Sequence, residues 1–319
     1  MQPNISGCIF FSFEYVYFRQ LIKPKRMETK FNFDHILCPT DFSQTAGVAL
    51  EHAVYLSEKF NAKLSILNVR EAFAEFMILQ EYGIPGREDK DYFNHVGAKL
   101  EQLAAPIRAK GITVETFCTS GKIADEISKF VKENQVSDVV IGMHGVKGRD
   151  SYFMGGNAHK IVNSTKVPVL QVDKHAHTNV YKTILMPIDS SFHTREKIPY
   201  ATSLAKKYGA EIRLIALQTS SNEEIRQGVL NVLNQVEKYI ADNGVRFDST
   251  VRNSDNLSND TLEYADEINA DLIVIMSEQE KTLRGLFLGP YAQQLVNQST
   301  RPVLTIPPKV HMVMNTVNV

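Results

Sequence analysis

The chain has 319 residues, of which 43% are hydrophobic and 22% are charged, a composition typical of a globular protein long enough for two domains. Its 35 lysines and arginines nearly balance its 36 aspartates and glutamates, so a net charge of −1 gives no general reason to expect nucleic acid or an anionic membrane as a partner. The three cysteines are too few and too scattered for a disulfide framework, which favours a reducing, cytoplasmic location. The sequence has no apolar run of about 18 residues, so we expect no membrane-spanning helix.

The first 30 residues lack the periodicity of the rest of the chain. Their apolar stretch, CIFFSFEYVYF at residues 8–18, is followed rather than preceded by positive charges, which argues against a secretory signal. Met27 comes directly after KPKR, and fold-like sequence begins at Phe31. We therefore expect residues 1–30 to be an N-terminal extension outside the fold, with residues 1–26 arising from an early start codon. An aromatic segment that attaches to a surface or a partner is the alternative.

From residue 31 onward, short apolar runs alternate with segments of helical periodicity. Strands are predicted for HILCPT (35–40), KLSILNV (63–69), ITVETFCT (112–119), DVVIGM (138–143) and VPVLQV (167–172). Helices are predicted over residues 45–60, 96–111, 123–135 and 156–165. Five strands with helices of this length between them imply a doubly wound, parallel α/β sheet.

The second half of the chain repeats this pattern. The segment 35–69 aligns without gaps on 183–217 at an offset of 148, and VPVLQV aligns on RPVLTI at an offset of 134. The second copy is therefore 14 residues shorter, and the missing piece falls near residues 71–91, an insertion of the first copy. We predict two tandem domains of five strands each, at residues 31–173 and 181–308, with a polar linker at 174–180 and a tail at 309–319.

The loop after the first strand is the first candidate site, because ligands of open parallel sheets bind beyond the carboxyl ends of the strands, where the strand order reverses. It reads PTDFS: Pro39 stiffens the exit, Thr40 and Asp41 follow, and Ser43 is placed to cap the next helix. Asp41 has two interpretations that the sequence leaves open. It caps the loop, or it accepts hydrogen bonds from a ribose and holds a magnesium ion through water.

The loop after the fourth strand is punctuated by glycines. Gly142 and Gly145 leave the backbone free to take positive φ and to approach a ligand closely. Gly155 and Gly156 precede a helix whose first N–H groups and dipole favour an anion. The pattern predicts a phosphate site without a catalytic side chain, although glycines serving only a turn and a helix cap would produce it equally well.

The loop glycines are spaced as glycine, two residues, glycine, nine residues, glycine. This spacing, together with PTD after the first strand and VPVLQV in the last, resembles the ATP-binding branch of the universal stress protein family. The resemblance covers both repeats, from about residue 31 to 308. It implies two flavodoxin-like domains related by a pseudo-twofold axis, as two single-domain members pair in a dimer. It also implies an adenine nucleotide in the first domain.

Carried onto this chain, the family's nucleotide site includes Pro39, Thr40 and Asp41, with the backbone near Val69 meeting the adenine. Its phosphate loop comprises Gly142, His144, Gly145, Gly155, Gly156 and Asn157. The family usually has Ser or Thr at the position of Gly156, so one hydroxyl is missing, a loss of about 0.5–1.5 kcal/mol. The backbone donor remains, and Asn157 offers a side-chain amide. His144 is interpreted as a hydrogen-bonding spacer rather than a base.

The second copy departs from this loop pattern. Of the loop glycines only Gly289 survives, while Met276, Gln279 and Pro290 stand at the positions of the others. The proline also removes a backbone N–H from the start of the helix. Asp189 remains at the position that Asp41 has in the first copy. We therefore expect the second domain to bind no nucleotide and to serve as a structural or partner-binding copy.

The leading hypothesis is a cytoplasmic stress-response protein that binds ATP, with magnesium held through Asp41, in its first domain. No pair of nucleophile and base is visible, so no catalytic residue is assigned and we expect slow hydrolysis at most. The alternative is a scaffold that binds no nucleotide and docks a partner protein through the Phe- and Met-containing segment 71–91; a redox flavoprotein is favoured only by the type of sheet. A monomer with an intramolecular domain pair and a homodimer are both compatible with the repeat.

Overall fold

The computed structural model describes residues 31, 33–71, 89–143, 156–176, 178–189, 191–277 and 289–308. The chain divides after residue 31, and every helix and strand given below belongs to the part from residue 32 onward. The predicted extension at 1–30, most of the insertion at 71–91 and the tail at 309–319 therefore lie outside the described residues. No helix within the described part of the chain is long and apolar enough to cross a membrane.

The first repeat alternates strands with helices as predicted. Its strands are β1 (His35–Pro39), β2 (Lys63–Arg70), β3 (Val114–Ser120), β4 (Asp138–Met143) and β5 (Val169–Asp173). Its helices are α1 (Gln44–Phe60), α2 (Asp89–Arg108), α3 (Ile123–Glu133) and α4 (Gly156–Ser164). The main difference from prediction concerns α2, which begins at Asp89 rather than at residue 96. It also ends before Gly111, which lies beyond the helix in the left-handed region with φ 85°.

The second repeat has the same succession of elements. Its strands are β6 (Thr183–Ile188), β7 (Glu211–Gln218), β8 (Phe247–Asn253), β9 (Leu272–Met276) and β10 (Val303–Ile306). Its helices are α5 (Ile198–Tyr208), α6 (Glu223–Asp242), α7 (Leu257–Glu267) and α8 (Pro290–Gln298). A 3-10 turn at Phe192–Arg195 precedes α5 and has no counterpart in the first repeat, where α1 already begins at the equivalent position.

The strands of both repeats form one continuous sheet in the order β3-β2-β1-β4-β5-β10-β9-β6-β7-β8. Neighbouring strands within each repeat are parallel, and β5 and β10 are antiparallel. The prediction of two five-stranded parallel units is thus confirmed. The structure adds the way in which they join, which is by pairing of their last strands at the sheet edge.

The β5–β10 junction has the self-complementary register of a twofold axis. Leu170 lies opposite Leu304, its equivalent at the offset of 134, while Val303 faces Gln171 and Thr305 faces Val169. Such reciprocal pairing is characteristic of an isologous contact. The Thr305 hydroxyl donates to Gln171 Oε1 over 3.0 Å, and both side chains are only 1% exposed. This buried hydrogen bond between equivalent residues fixes the register of the junction.

Apolar side chains cover both faces of the sheet, because successive residues of a buried strand point to opposite sides. Ile36 and Cys38 of β1 belong to the cluster that packs against α1, α2, α5 and α6. Leu37, between them, belongs to the cluster that packs against α3, α4, α7 and α8. Each cluster contains residues of both repeats, so the two halves share their core. Cys38 is buried and Cys118 is partly buried, and both are free thiols.

A buried aromatic contact joins α1 to the second repeat. His52 Nδ1 lies 2.8 Å from the Tyr181 hydroxyl, and the Tyr181 ring lies 5.0 Å from that of Tyr208, centre to centre. Tyr55 of α1 packs against Tyr208 at 5.6 Å. Burial lowers the pKa of His52 to about 4, so the imidazole is neutral at pH 7. The contact between the repeats therefore includes a histidine whose neutral form is favoured by burial.

Candidate functional site

The candidate site lies at the carboxyl edge of the first repeat, between β1 and β4. The strand order reverses there, since β1 is followed in sequence by β2 on one side and has β4 as its neighbour on the other. Asp41 follows β1, Gly142 stands at the end of β4, and α4 begins at Gly156. Val69, near the end of the adjacent strand β2, is half-buried and pairs with Thr119 of β3. This is the position at which doubly wound sheets bind ligands.

Asp41 belongs to a tight turn between β1 and α1. Its Oδ1 accepts a hydrogen bond from Ser43 N at 2.9 Å, and Ser43 Oγ in turn accepts from Ala46 N at 3.2 Å, which confirms Ser43 as the cap of α1. The Asp41 side chain is nevertheless exposed. The capping role is thus seen for one carboxylate oxygen. It does not remove the carboxylate from solvent, where a ligand would meet it.

Phe42, inside the same turn, has a backbone conformation unusual for a non-glycine residue. Its φ is 63°, in the left-handed region, which costs roughly 1–2 kcal/mol for a residue with a Cβ atom. The ring packs against the core, and the Lys99 ammonium lies 5.6 Å from its centre. Strained residues of this kind cluster at binding sites because the surrounding structure holds them in place. Here the strained residue separates Asp41 from the helix cap.

A buried asparagine fixes the exit of β1. Asn68, only 5% exposed, donates through Nδ2 to the Thr40 carbonyl oxygen at 2.8 Å. Its Oδ1 accepts from the Tyr92 hydroxyl at 3.2 Å and lies 3.8 Å from the Cys118 sulfur. The network therefore ties β1 to β2, β3 and α2 directly beneath Asp41. In the second repeat the position of Asn68 is held by Ala216, so the network belongs to the first repeat alone.

A guanidinium group adjoins this network. The Arg70 guanidinium carbon lies 4.5 Å from the centre of the Tyr92 ring, a cation–π distance, and the Arg70 carbonyl accepts from Gly121 N at 3.0 Å. Arg70, Asn68 and Tyr92 were not among the residues predicted from the sequence to form the site. A polar asparagine inside the apolar run SILNV was the one visible signal, because a buried amide needs partners.

Gly142 has a packing reason that the sequence did not indicate. A Cβ atom at this position would lie 2.7 Å from the Thr45 carbonyl oxygen and 3.0 Å from Ala46 N, both in the first turn of α1. The missing side chain therefore lets the start of α1 rest directly on β4. This contact brings the Asp41 turn next to the point where the glycine loop leaves the sheet.

The rest of the predicted phosphate loop is described only in part. Helix α4 begins at Gly156, as predicted, and its first turn includes the main chain of Asn157. His144, Gly145 and Gly155 lie outside the described residues, as does the Asn157 side chain. The described structure thus brings together Pro39, Thr40, Asp41 and Gly142. Helix α4 begins at the predicted end of the glycine loop.

The same edge of the second repeat is built differently. Met276 occupies the position of Gly142, is 3% exposed and belongs to the same core cluster as α5. Correspondingly, α5 starts at Ile198, six residues later than α1 by alignment, after the 3-10 turn. The larger side chain on β9 and the later start of α5 thus occur together in the second repeat.

Buried polar side chains occupy the displaced helix start. His193 Nδ1 lies 2.7 Å from Glu196 Oε1, with both side chains buried. Lys197 is 2% exposed and its ammonium donates to Thr194 Oγ1 at 3.1 Å. Burial lowers the pKa of Lys197 to about 8, against the opposing effect of the Asp189 carboxylate. A lysine where the first repeat has the buried Ala49 was a signal in the sequence that the periodicity argument passed over.

Tyr291 stands where the first repeat has Asn157, in the first turn of α8. Its hydroxyl lies 3.2 Å from Thr261 Oγ1 of α7. Burial raises the pKa of Tyr291, and the negative charge of Asp189 raises it further. The first turn of α8 therefore carries a phenol whose hydroxyl pairs with α7, at the sequence position of Asn157 in the first repeat.

In each repeat the strand order reverses next to the first strand, at a position called the switch point. This strand order and the pairing of the two last strands define a tandem pair of flavodoxin-like α/β domains. The sequence model of the Universal stress protein family matches residues 32–173 and 180–307, one match on each repeat. The chain belongs to this family.

Individual relatives agree with this assignment. Universal stress protein YxiE of Bacillus subtilis is 32% identical over 148 residues, which cover 44% of this chain and 99% of the relative. Universal stress protein MJ0531 of Methanocaldococcus jannaschii is 25% identical over 142 residues, 40% of this chain and 83% of the relative. The crystal structure of a universal stress protein from Archaeoglobus fulgidus superposes with a TM-score of 0.68 at 20% identity, covering 87% of this chain and 97% of that one. At such identity the structural likeness supports the fold only.

Proposed function

We propose that the chain is a cytoplasmic stress-response protein that binds one ATP molecule, in its first repeat. The observation that carries this proposal is the contrast between the two switch points. In the first repeat an exposed carboxylate, Asp41, stands beside a full helix start and above a polar network. In the second, Met276, Lys197 and Tyr291 stand at the sequence positions of Gly142, Ala49 and Asn157. Among the described residues, Asp41 is exposed, whereas its counterpart Asp189 is only partly exposed.

Each predicted residue has a role in this proposal. Asp41 accepts hydrogen bonds from the ribose, while Pro39 and Thr40 hold it at the strand exit. The backbone near Val69 meets the adenine. Backbone N–H groups at the start of α4 bind phosphate oxygens, which a helix N-terminus favours. The phosphate-binding residues are Gly142, His144, Gly145, Gly155, Gly156 and Asn157.

A magnesium ion fits this site only as a partner of the nucleotide. Among the described residues, no three carboxylate, imidazole or thiol groups are grouped as metal ligands. Magnesium commonly keeps several waters and takes only one or two carboxylates together with substrate phosphates. Asp41 is the one residue that we assign to it, through water. With no nucleophile or base assigned, hydrolysis of the bound ATP is slow at most.

Calorimetric titration with ATP and magnesium tests the proposal. We expect one site per chain in the wild type, no binding for Gly145→Val, and unchanged binding for the control Gln279→Val, which places the same side chain at the equivalent position of the second repeat. Absence of binding at millimolar ATP would refute the proposal. Two sites per chain would refute the assignment of the nucleotide to the first repeat alone.

Asp41→Asn separates the two interpretations of Asp41. Asparagine retains an oxygen that accepts from Ser43 N and is an equally good cap, so the stability of the fold should stay within about 0.5 kcal/mol. Loss of the charge should weaken ATP binding by roughly ten- to a hundredfold, since hydrogen bonds to charged groups contribute about 1.5–3 kcal/mol. If affinity is unchanged, Asp41 only caps the turn.

The second candidate function is a scaffold that binds a partner protein through residues 71–91. The sequence favours it because this segment, which contains two Phe and one Met, is present only in the first copy. Deletion of residues 72–88 tests it in the full chain. Loss of a co-purifying protein with unchanged ATP affinity would support the scaffold, whereas loss of ATP affinity would assign the segment to the nucleotide site. Gel filtration with light scattering distinguishes the monomer from the homodimer in the same preparation.

A further inference from the structure

The second repeat retains Asp189 although it lacks the loop glycines. The carboxylate has the same local role as in the first repeat, because its Oδ1 accepts from Ser191 N at 2.8 Å. Any small cap residue would serve that turn. Asp189 also follows a strand whose neighbour, β9, ends in the bulky Met276. The persistence of a charge at a filled switch point therefore calls for a different explanation from ligand binding.

A buried ammonium group lies next to this carboxylate. Thr194 Oγ1 accepts from Lys197 Nζ at 3.1 Å and from Asp189 N at 3.4 Å, so one hydroxyl oxygen joins the lysine to the aspartate main chain. Thr194 is fully buried and Lys197 is 2% exposed. A hydroxyl oxygen has two lone pairs and accepts both bonds. The geometry thus holds the ammonium close to Asp189, inside the protein.

Among the described residues, Asp189 is the acid whose charge raises the pKa of Lys197, against the larger effect of burial. Glu196, the nearest acid in sequence, is engaged by His193 Nδ1 at 2.7 Å. Burying an ammonium without an opposite charge is strongly unfavourable. In the first repeat the same helix position carries Ala49, which is fully buried and needs no counter-charge, while Asp41 is exposed. The second repeat therefore combines a buried lysine with a partly exposed aspartate, whereas the first combines a buried alanine with an exposed aspartate.

We infer that Lys197 is a resident counter-ion for Asp189, so that the second switch point is neutralised by the chain itself and Asp189 is a structural residue rather than a ligand-binding one. The inference concerns the second repeat and does not depend on nucleotide binding by the first. It explains why the acid is present where the phosphate loop is not.

A double-mutant cycle on the full chain tests the inference. Asp189→Asn keeps the acceptor for Ser191 N, and Lys197→Met keeps the length of the side chain. We expect each single change to raise the equilibrium constant for unfolding. The constant of the double variant should be at least roughly tenfold smaller than the product of the two single effects predicts. Lys206→Met, an exposed lysine of the same helix, is the control and should show no coupling with Asp189→Asn. Additive effects of Lys197→Met and Asp189→Asn would overturn the inference.

A second measurement covers the case in which Lys197→Met fails to fold. In ¹⁵N-lysine NMR of Asp189→Asn, the pKa of the Lys197 ammonium should fall by about one unit or more relative to wild type, because its counter-charge is gone. An unchanged pKa would overturn the inference. Asp189→Asn should also leave the affinity and stoichiometry of ATP unchanged. A loss of ATP binding there would assign Asp189 to a ligand, whereas a failure of Asp41→Asn to affect ATP would count against the proposed function only.

Discussion

A single methyl group at position 142 tests how the first site is assembled. In Gly142→Ala the new Cβ would meet the Thr45 carbonyl oxygen at 2.7 Å and the Thr45 carbonyl carbon at 2.8 Å, where ordinary contacts begin at 3.4 Å. Both are backbone atoms of α1, which no rotamer change can move aside. The first turn of the helix must therefore retreat by about 0.7 Å or unwind. The second repeat, with Met276 at this position, has its helix start displaced.

The expected cost follows from the size of this clash. Overpacking a close-packed core costs about 1–3 kcal/mol, and the lower chain entropy of alanine returns about 0.5–1 kcal/mol. The net expectation is a loss of about 1–2 kcal/mol in the free energy of unfolding, together with weaker ATP binding because the Asp41 turn moves with α1. Urea unfolding followed by circular dichroism measures the first effect and calorimetric titration the second.

The matched control is Gly47→Ala, which lies in the same helix. A Cβ there meets nothing within 4 Å, and the residue is exposed. Alanine should stabilise this helix position by up to about 1 kcal/mol. If Gly142→Ala were as stable as the wild type and bound ATP equally well, the close contact of α1 with β4 would contribute neither to stability nor to ATP binding, contrary to this prediction.

Three further predictions concern buried polar groups. Asn68→Ala leaves the Thr40 carbonyl without its donor and should cost about 1–3 kcal/mol in urea unfolding and weaken ATP binding; unchanged affinity would exclude the network from the site. His52 has a folded pKa of about 4, below the unfolded value near 6.5, so the unfolded state takes up the proton first and the stability that His52 contributes is lost as the pH falls through this window. Unfolding curves at pH 7 and pH 4 should show a loss of about 3 kcal/mol that is absent in His52→Gln, and parallel pH dependence would contradict this. Thr305→Val removes a donor to Gln171 Oε1 and should lower stability by about 1–2 kcal/mol; an unchanged unfolding midpoint would mean that the hydrogen bond does not stabilise the sheet junction.

The fold was predictable because its signals are local and occur twice. Apolar runs such as DVVIGM coincide with β4 at both ends, and the cap Ser43 lies where the turn chemistry places it. The junction of the two repeats was visible only through the family resemblance. VPVLQV and RPVLTI are equally apolar strands, and nothing in their composition distinguishes a packed pair of sheets from an antiparallel edge contact. The register depends on Leu170 meeting Leu304, residues 134 apart in the chain.

The candidate site was predictable where neighbours in sequence are neighbours in space. The Asp41 side chain accepts from the Ser43 main chain and the Ser43 side chain accepts from the Ala46 main chain, so this turn could be inferred from residue types. Asn68 was not identified because its partner, the Thr40 carbonyl, is 28 residues away and becomes its neighbour only when β1 and β2 pair. Gly142 was identified, but through flexibility and ligand approach. The tertiary contact with Thr45 supplies a reason that depends on how a helix crosses the strand.

The two repeats differ beyond the loop after the fourth strand. In the second repeat a 3-10 turn at Phe192–Arg195 stands where α1 begins in the first, and its main-chain hydrogen bonds run from Thr194 N to Ser191 O and from Glu196 N to His193 O. Thr194 Oγ1 accepts from Asp189 N and from Lys197 Nζ, so a polar cluster joins this turn to the exit of β6. Restoring loop glycines alone would leave this cluster in place. The 3-10 turn, the buried Lys197 and the partly buried Tyr291 occur together in the second repeat, so in the described residues the second repeat differs from the first in more than its loop glycines.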